Sequence, residues 1–515
     1  MSASRALLSV SAGALVLLAL LLALAAGAVA LAQSSTDYDA DDDGLIEVAS
    51  LAQLNAIRWD LDGDGTPASA NASDYSSAFP NAATGMGCPQ AGCTGYELAA
   101  NLDFDTNGDG STNVAGDAYW NDGAGWEPIG TESESFSTTF EGNDNTIVGL
   151  FINRPAADRV GLFGVVSNTG GVIRNVGLTN TNVTGRDWVG GLVGENWGTI
   201  SASYSTGGGL AGDPVFGFYV TYGARGNSAG GLVGRNYGTI TASYSTSLVW
   251  GGEAGGLVSY SEGTIVLSYA TGGAAGESGS RVGGLVGSNN GTVSASYATG
   301  PVSNIYHAEP FISSAGGLVG SNDPRGTISA SYATGAVSGP ADVGGLVALN
   351  FGTIEASYAT GGVSYTRQGG PVGSDDDVGG LVGTVGASYR VPTTTSSYWD
   401  TQTTGQSTSD GGVGKTTSEL QSPTGYTGIY ADWNVDLDGD GDGDDPWDFG
   451  TSSEIRSSTT SRAFSLPPHQ PLHLRQLLRP RPRQSQPPRP RPRQSQPPRR
   501  RRHLQAPTTT PMTTA

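Results

Sequence analysis

The sequence predicts an all-β fold, a parallel β-helix or β-solenoid, and three observations carry that prediction. The first is a phrase, VGGLVGENWGTISASYSTG at 189–207, that returns about seven times with small changes along the 515-residue chain. Aligning its double glycines gives Gly190, Gly230, Gly255, Gly283, Gly316, Gly344 and Gly379, separated by 40, 25, 28, 33, 28 and 35 residues. These are repeat-protein periods, and the length varies between phrases rather than inside them. The second is strand alternation. In TISASY, Ile200, Ala202 and Tyr204 are expected on one face and Thr199, Ser201 and Ser203 on the other. The third is energetic. One repeat buries a Leu, a Val, an Ile and a Tyr, which does not offset the entropy of ordering its backbone. Copies stacked at ~4.8 Å share a hydrogen-bond ladder and a core.

Taken in order, the chain divides into residues 1–32, 33–130, 131–400, 401–450 and 451–515. In the first segment Arg5 precedes an apolar run, Ala12–Ala32, with small residues at Ala30 and Ala32. That pattern reads as a secretory signal cleaved before Gln33. Uncut, the run is long enough to serve as a signal anchor, the one route to membrane attachment expected. Either way the body is placed outside the cell, secreted or at the surface.

Residues 33–130 are expected to cap the solenoid, since bare ends would expose unpaired strand edges. In SLAQLNAIR, Ser50 and Gln53 fit a capping box while Leu51, Leu54 and Ile57 recur at helical spacing, so a short helix is predicted there. Cys88 and Cys93, the two cysteines of the chain, suit a short disulfide loop in an exported protein. Residues 401–450 are expected to close the other end.

Four acidic loops are the strongest constellation. DADDDG offers Asp39, Asp41 and Asp43, and DLDGDG at 60–65 offers Asp60, Asp62 and Asp64. DTNGDG offers Asp105, Asn107 and Asp109, and DLDGDG at 436–441 offers Asp436, Asp438 and Asp440. Oxygens at alternate positions before a glycine suit Ca²⁺ as a cofactor. Each loop departs from the EF-hand, because the twelfth position holds Ser50, Asn71, Gly116 or Trp447 instead of a bidentate Glu. Glu47 and Asp444 can supply a ninth-position oxygen in the first and last loops. The alternative is a solvated acidic turn.

Within 131–400, Tyr204, Tyr244, Tyr269, Tyr297, Tyr332 and Tyr358 hold one place in successive repeats, and Asn196, Asn236, Asn289, Asn322 and Asn350 hold another. Like residues in register are expected to stack as aromatic and amide ladders. The tyrosines are read as structural, in register with the apolar Ile and Ala, rather than as a sugar platform. Between phrases lie 207–228, 247–253, 300–314 and 361–377, with Phe216, Phe218, Tyr219, Tyr222, Trp250, Tyr306 and Phe311. Loops on a rigid scaffold are where recognition usually sits.

The phrase GGLVG-N-GTIS-SYATG resembles the GLUG-motif family of bacterial secreted and cell-surface proteins, which includes adhesins and IgA-peptidase-like surface proteins. The segments at 43–65, 93–106, 140–152 and 398–405 resemble those that flank such arrays, so the likeness spans roughly residues 37–450. It implies a β-solenoid surface protein of GLUG-type repeats without naming a ligand.

The tail differs in kind. RPRPRQSQPP occurs twice in tandem at 479–498, followed by four arginines. Such proline density excludes helix and sheet, so disorder is expected. A binder of anionic polymer, a wall-spanning linker and a frameshifted Pro/Thr-rich linker all fit, and the abrupt break at TSSEIRSS favours the last. Net charge is −21, yet residues 451–515 hold 13 arginines and one acid. The remaining body is therefore far more acidic than the total suggests, which argues against nucleic acid as a partner.

Catalysis finds little support. H-E-x-x-H is absent, and of the four histidines (His307, His469, His473, His503) three lie in the tail. That argues against a zinc peptidase and most imidazole acid–base schemes. The arginines Arg225, Arg235, Arg281, Arg325 and Arg367, scattered and mostly in turns, make a poor lyase site. GGVGKTTSEL at 411–420 has Ser409 where a phosphate loop needs glycine, so it reads as a cap loop. The expectation is a non-enzymatic, adhesin-like scaffold, Ca²⁺-stabilised, with an extracellular glycan or matrix protein as partner. A passive envelope stalk is the first alternative and a carbohydrate-active β-helix enzyme the second.

Overall fold

A computed structural model describes residues 38–67, 72–80, 88, 92–111, 114–207, 224–276, 280–304, 313–366, 378–386, 390–421, 428–430 and 433. The segment expected to be a signal, the Arg/Pro tail and the loop carrying Asp436, Asp438, Asp440 and Asp444 lie outside the described residues. The rest is a parallel β-solenoid. Among the described residues, one sheet has eleven strands from Ile46–Val48 to Thr393–Thr395, and a second has eight from Phe163–Val166 to Val382–Val385. A third sheet, of 23 short strands, runs as two rows, one carrying the repeat tyrosines and the other the double glycines.

One turn of the solenoid shows how the phrase folds. Arg281–Gly283 lies in the third sheet, Val286–Asn289 in the second and Thr292–Ser294 in the first; Tyr297–Ala298 and Val302–Asn304 then return to the third. Every position meets its own equivalent in the next coil: Val286 faces Val319, Val293 faces Ile328, and Tyr297 faces Tyr332. Leu285, Leu318 and Leu346 project inward from the corner after the double glycine and are fully buried. That corner leaves no room for side chains. A Cβ on Gly284 would sit 2.1 Å from the carbonyl oxygen of Gly317 in the next coil.

The Asn-x-Gly corner is held by the expected amide ladder. Asn289 Oδ1 accepts from the Gly291 amide at 3.2 Å, and Asn289 Nδ2 donates to Asn322 Oδ1 at 2.9 Å. Asn322 Nδ2 donates in turn to Asn350 Oδ1 at 2.9 Å. Where Ser261 replaces the asparagine, its hydroxyl accepts from Asn236 at 3.2 Å. The ladder stops at Asn350, which faces Val385, and the buried Asn350 Nδ2 has no acceptor. Val385→Asn is expected to supply one and stabilise the protein by about 1 kcal/mol. A higher urea midpoint at unchanged slope is the expected reading.

The expected alternation through TISASY fails at its fourth residue. Ala202 adopts a left-handed conformation with φ 47°, as do Ala242, Leu267, Ala295, Ala330, Ala356 and Ser396 at the same place, with φ of 44–53°. The chain turns there, so Ser203 goes inward where an outward side chain was expected. The serines form their own ladder: the Ser268 amide donates to Ser296 Oγ, and the Ser296 amide to Ser331 Oγ, each at 3.2 Å. Each hydroxyl donates to the carbonyl two residues back, as Ser296 does to Ser294 at 2.7 Å.

The inversion puts the tyrosines outside. Ala270, Ala298, Ala333 and Ala359, one residue later, lie in the main core, while Tyr297, Tyr332 and Tyr358 belong to a separate outer cluster. From Tyr204 to Tyr358 the rings stack with centroids 4.8–5.1 Å apart and planes within 9°. The ladder expectation holds, and the alanine two residues before the tyrosine shares its side, as Ala330 and Ala356 do in the outer cluster. The expected register with Ile does not hold, since Ile200, Ile328 and Ile354 lie in the main core. At the C-terminal end Leu420, Tyr430 and Trp433 cover this outer column.

The solenoid also begins earlier than residue 131. Ile46–Val48 pairs in register with Gly95–Leu98, which pairs with Thr139–Glu141. Residues 33–130 therefore contribute early rungs of the first sheet, with long insertions between them. One insertion holds the expected helix, Leu51–Ala56, whose N-cap Ser50 hydroxyl accepts from the Gln53 amide. Gln53 Oε1 reaches back to the Ala49 amide at 2.9 Å, and Leu54 and Ile57 are fully buried. Beyond residue 400, Val413–Lys415 adds another rung beside Tyr398–Asp400. Short helical turns at Thr417–Gln421 and Gly428–Tyr430 follow it.

Candidate functional site

Three of the four acidic loops fall among the described residues, all N-terminal to the repeats, and their first halves fold alike. The glycine at the sixth position donates its amide to the first aspartate: Gly44 to Asp39 at 3.1 Å, Gly65 to Asp60 at 2.9 Å, Gly110 to Asp105 at 2.8 Å. The fifth residue then accepts from the seventh amide, as Asp43 does from Leu45, Asp64 from Thr66 and Asp109 from Ser111, at 2.7–2.8 Å. Spacing in the sequence thus fixes the turn. It does not fix what the carboxylates do next.

Around Asp105 the charges are spent on the backbone. Both Asp105 oxygens accept amides, Asn107 Oδ1 accepts the Asp109 amide at 2.9 Å, and the loop is exposed. In the first loop, Asp39, Asp41 and Asp43 each bring an oxygen within 4.8 Å of the others, and so do Asp41, Glu47 and Glu97. Glu97 was not singled out from the sequence. It stands opposite Glu47 and Glu141 on neighbouring parallel strands, and aligning IEV, YEL and FEG would have found the column. Glu141 is neutralised by Arg174 at 2.5 Å, and Glu97 accepts from Asn143 at 2.6 Å. Burial pushes the Glu47 and Glu97 carboxyls up, with neighbouring aspartates adding to the shift.

Asp60, Asp62 and Asp64 form the third group, with one oxygen from each again within 4.8 Å of the others. Asp60 is 3% exposed. Its Oδ2 accepts from Tyr96 Oη at 2.6 Å, Tyr75 Oη at 3.0 Å and the Gly65 amide. Burial raises its carboxyl to about 6, against the opposing pull of the Tyr96 hydrogen bond. Beside Asp39, a disulfide joins Cys88 and Cys93 within the insertion between Ile46–Val48 and Gly95–Leu98.

Three of the variable segments connect strands of the third sheet. Residues 277–279 interrupt the third sheet between Ala274–Gly276 and Arg281–Gly283; 305–312 do so between Val302–Asn304 and Ser314–Gly316. Residues 367–377 stand between Val363–Tyr365 and Val378–Gly379 of the same sheet. Phe216, Phe218, Tyr219, Tyr222, Tyr306 and Phe311 lie outside the described residues. The segment 247–253 is not a loop: Val249–Gly255 is a continuous strand, and Trp250 is buried in it.

Arg235 is likewise on a strand, Val233–Asn236, rather than in a turn. Its guanidinium lies 4.5 Å from the Tyr237 ring centroid, 5.0 Å from Trp188 and 5.3 Å from Tyr260. Arg159 flanks Trp188 at 4.5 Å and pairs with Glu195 at 2.5 Å. This is an inter-coil cation–π ladder, capped outward by Trp197, which stacks on Tyr237 at 3.9 Å and is 43% exposed.

Among the described residues, no helix is long and apolar enough to cross a membrane. No family model matches the sequence. The chain is 38% identical over 115 residues to Halomucin of Haloquadratum walsbyi, across 22% of this chain and 1% of that protein. It is 42% identical over 81 residues to a "Putative Gly-rich membrane protein" of Evansella cellulosilytica, across 15% of this chain and 9% of the other. The chain thus spans a small fraction of the length of either relative. Among solved structures it is similar to a "putative immunoglobulin A1 protease" of Bacteroides ovatus. The TM-score there is 0.36 at 17% identity, over 79% of this chain and 90% of that one.

Proposed function

We propose that the chain is a secreted or cell-surface scaffold of GLUG-type repeats that acts as an adhesin-like binder, without catalysis, of an extracellular glycan or matrix protein. One observation carries this reading: the inserts at 277–279, 305–312 and 367–377 all leave and rejoin a single sheet. The coil at Val249–Gly255 passes the same place without interruption. The frame therefore closes without an insert, and the inserts differ in length between strands of one ladder. Recognition written in such positions leaves the scaffold unchanged. The names of the two relatives, a mucin-like name and a membrane protein, agree with an envelope location.

The test is a glycan and matrix-protein array probed with the chain and with a variant in which 305–312 and 367–377 are each replaced by two glycines. Loss of the array signal by at least tenfold, with the melting temperature unchanged, is expected. Binding indifferent to both replacements would favour a passive stalk, and new reducing ends on a polysaccharide panel would favour an enzyme.

A further inference from the structure

Asp60 presents a problem that the protein chain alone leaves open. Three donors converge on its Oδ2, while its Oδ1 is buried and receives none. A buried carboxylate oxygen without a partner is costly. The surroundings sharpen the difficulty, because Asp62 and Asp64 bring two further carboxylates within 4.8 Å. Like charges at that range repel unless a proton or a cation lies among them. Two of the donors on Oδ2 come from the core, Tyr96 in the strand Gly95–Leu98 and Tyr75 in the helix Ala72–Ala78, and the third is the Gly65 amide of the loop itself. Together they saturate Oδ2 and leave Oδ1 without a donor among the described residues. Gly63 holds the loop close, since a Cβ there would meet Gly95 Cα at 2.7 Å.

We infer that Asp60, Asp62 and Asp64 form a binding site for one Ca²⁺-class divalent cation, which takes the orphaned Asp60 Oδ1 as a ligand and ties the 60–65 loop to the first rungs of the solenoid. Hard oxygen donors of this number and charge suit Ca²⁺, and the exposure of Asp62 and Asp64 leaves room for water to complete its shell. The Asp105 loop has the same turn, but both oxygens of its first aspartate are taken by amides, so it is not assigned a cation. The site is independent of whatever the inserts bind.

Tyr75 and Tyr96 touch Asp60, so Tb³⁺ bound there should be sensitised by excitation at the tyrosine band. The full chain is expected to give saturable Tb³⁺ emission that Ca²⁺ displaces, and calorimetry with Ca²⁺ should count the sites. Asp62→Asn with Asp64→Asn, both at exposed positions, should remove one equivalent or weaken it at least tenfold. Asp105→Asn with Asp109→Asn should leave stoichiometry and affinity as they are. Circular dichroism verifies that both variants fold. Absence of sensitised emission, or stoichiometry and affinity unchanged in the Asp62/Asp64 variant, overturns the assignment and leaves a proton between the carboxylates.

Discussion

Gly284→Ala is expected to destabilise the solenoid by about 3 kcal/mol or more, the range of severe overpacking against backbone. The new Cβ would lie 2.1 Å from the Gly317 carbonyl oxygen and 2.9 Å from Ala298 Cβ. Neither obstacle is the end of a flexible side chain. The carbonyl belongs to the next coil, and the Gly284 amide itself donates to Gly316 at 3.2 Å. Relieving the clash means lifting one coil from another and lengthening the ladder on which the stack depends. The equivalent glycines are as confined, with Gly317 and Gly345 at 2.0 and 2.1 Å from the carbonyls that follow them. Thr292→Ala, exposed in the same coil, is the control and should shift stability by less than about 0.5 kcal/mol. Urea unfolding followed by circular dichroism compares the two. Equal midpoints would mean that the corner relaxes without cost.

The repeat glycines were legible because a corner that admits no Cβ imposes glycine on every copy. The amide ladder was legible for the same reason: stacking in register repeats a side chain wherever its neighbour needs it. The inversion at Ala202 was not. Alanine carries no signal for positive φ, and the turn is imposed by the corner and by the Ser203 ladder around it. Strand periodicity therefore mis-assigned the residues from Ala202 onward to the opposite face, tyrosines included. The early rungs were hidden differently. Between Ile46–Val48 and Gly95–Leu98 the chain inserts two helices and a disulfide loop, so no period survives. At the acidic loops, spacing revealed three turns of one kind. The hydroxyls of Tyr75 and Tyr96, 15 and 36 residues away, and the burial that comes with them separate Asp60 from Asp105, and the spacing of the loop carries neither.

Trp433→Ala is expected to cost about 3–5 kcal/mol, as truncation of a fully buried large aromatic does. Its ring is inaccessible to solvent and lies 6.1 Å from Tyr358, 5.9 Å from Tyr398 and 4.5 Å from Tyr430. Its Nε1 donates to the Ser396 carbonyl at 2.6 Å, at the left-handed corner of the last coil. One side chain thus closes the tyrosine column and satisfies the corner beneath it. Its removal opens a cavity beside Tyr358 and Tyr398 and deprives the Ser396 carbonyl of that donor. Trp433→Phe should recover most of the packing and none of the hydrogen bond, so its loss should fall between wild type and alanine. Thermal melts give the order, and near-ultraviolet dichroism should lose amplitude in the alanine variant as the stacked rings disorder. A solenoid with a loosened end also exposes strand edges, so sedimentation of Trp433→Ala should show concentration-dependent association that the phenylalanine variant lacks. A melting temperature for Trp433→Ala within two degrees of wild type would show that Leu420 and Tyr430 close the column without it.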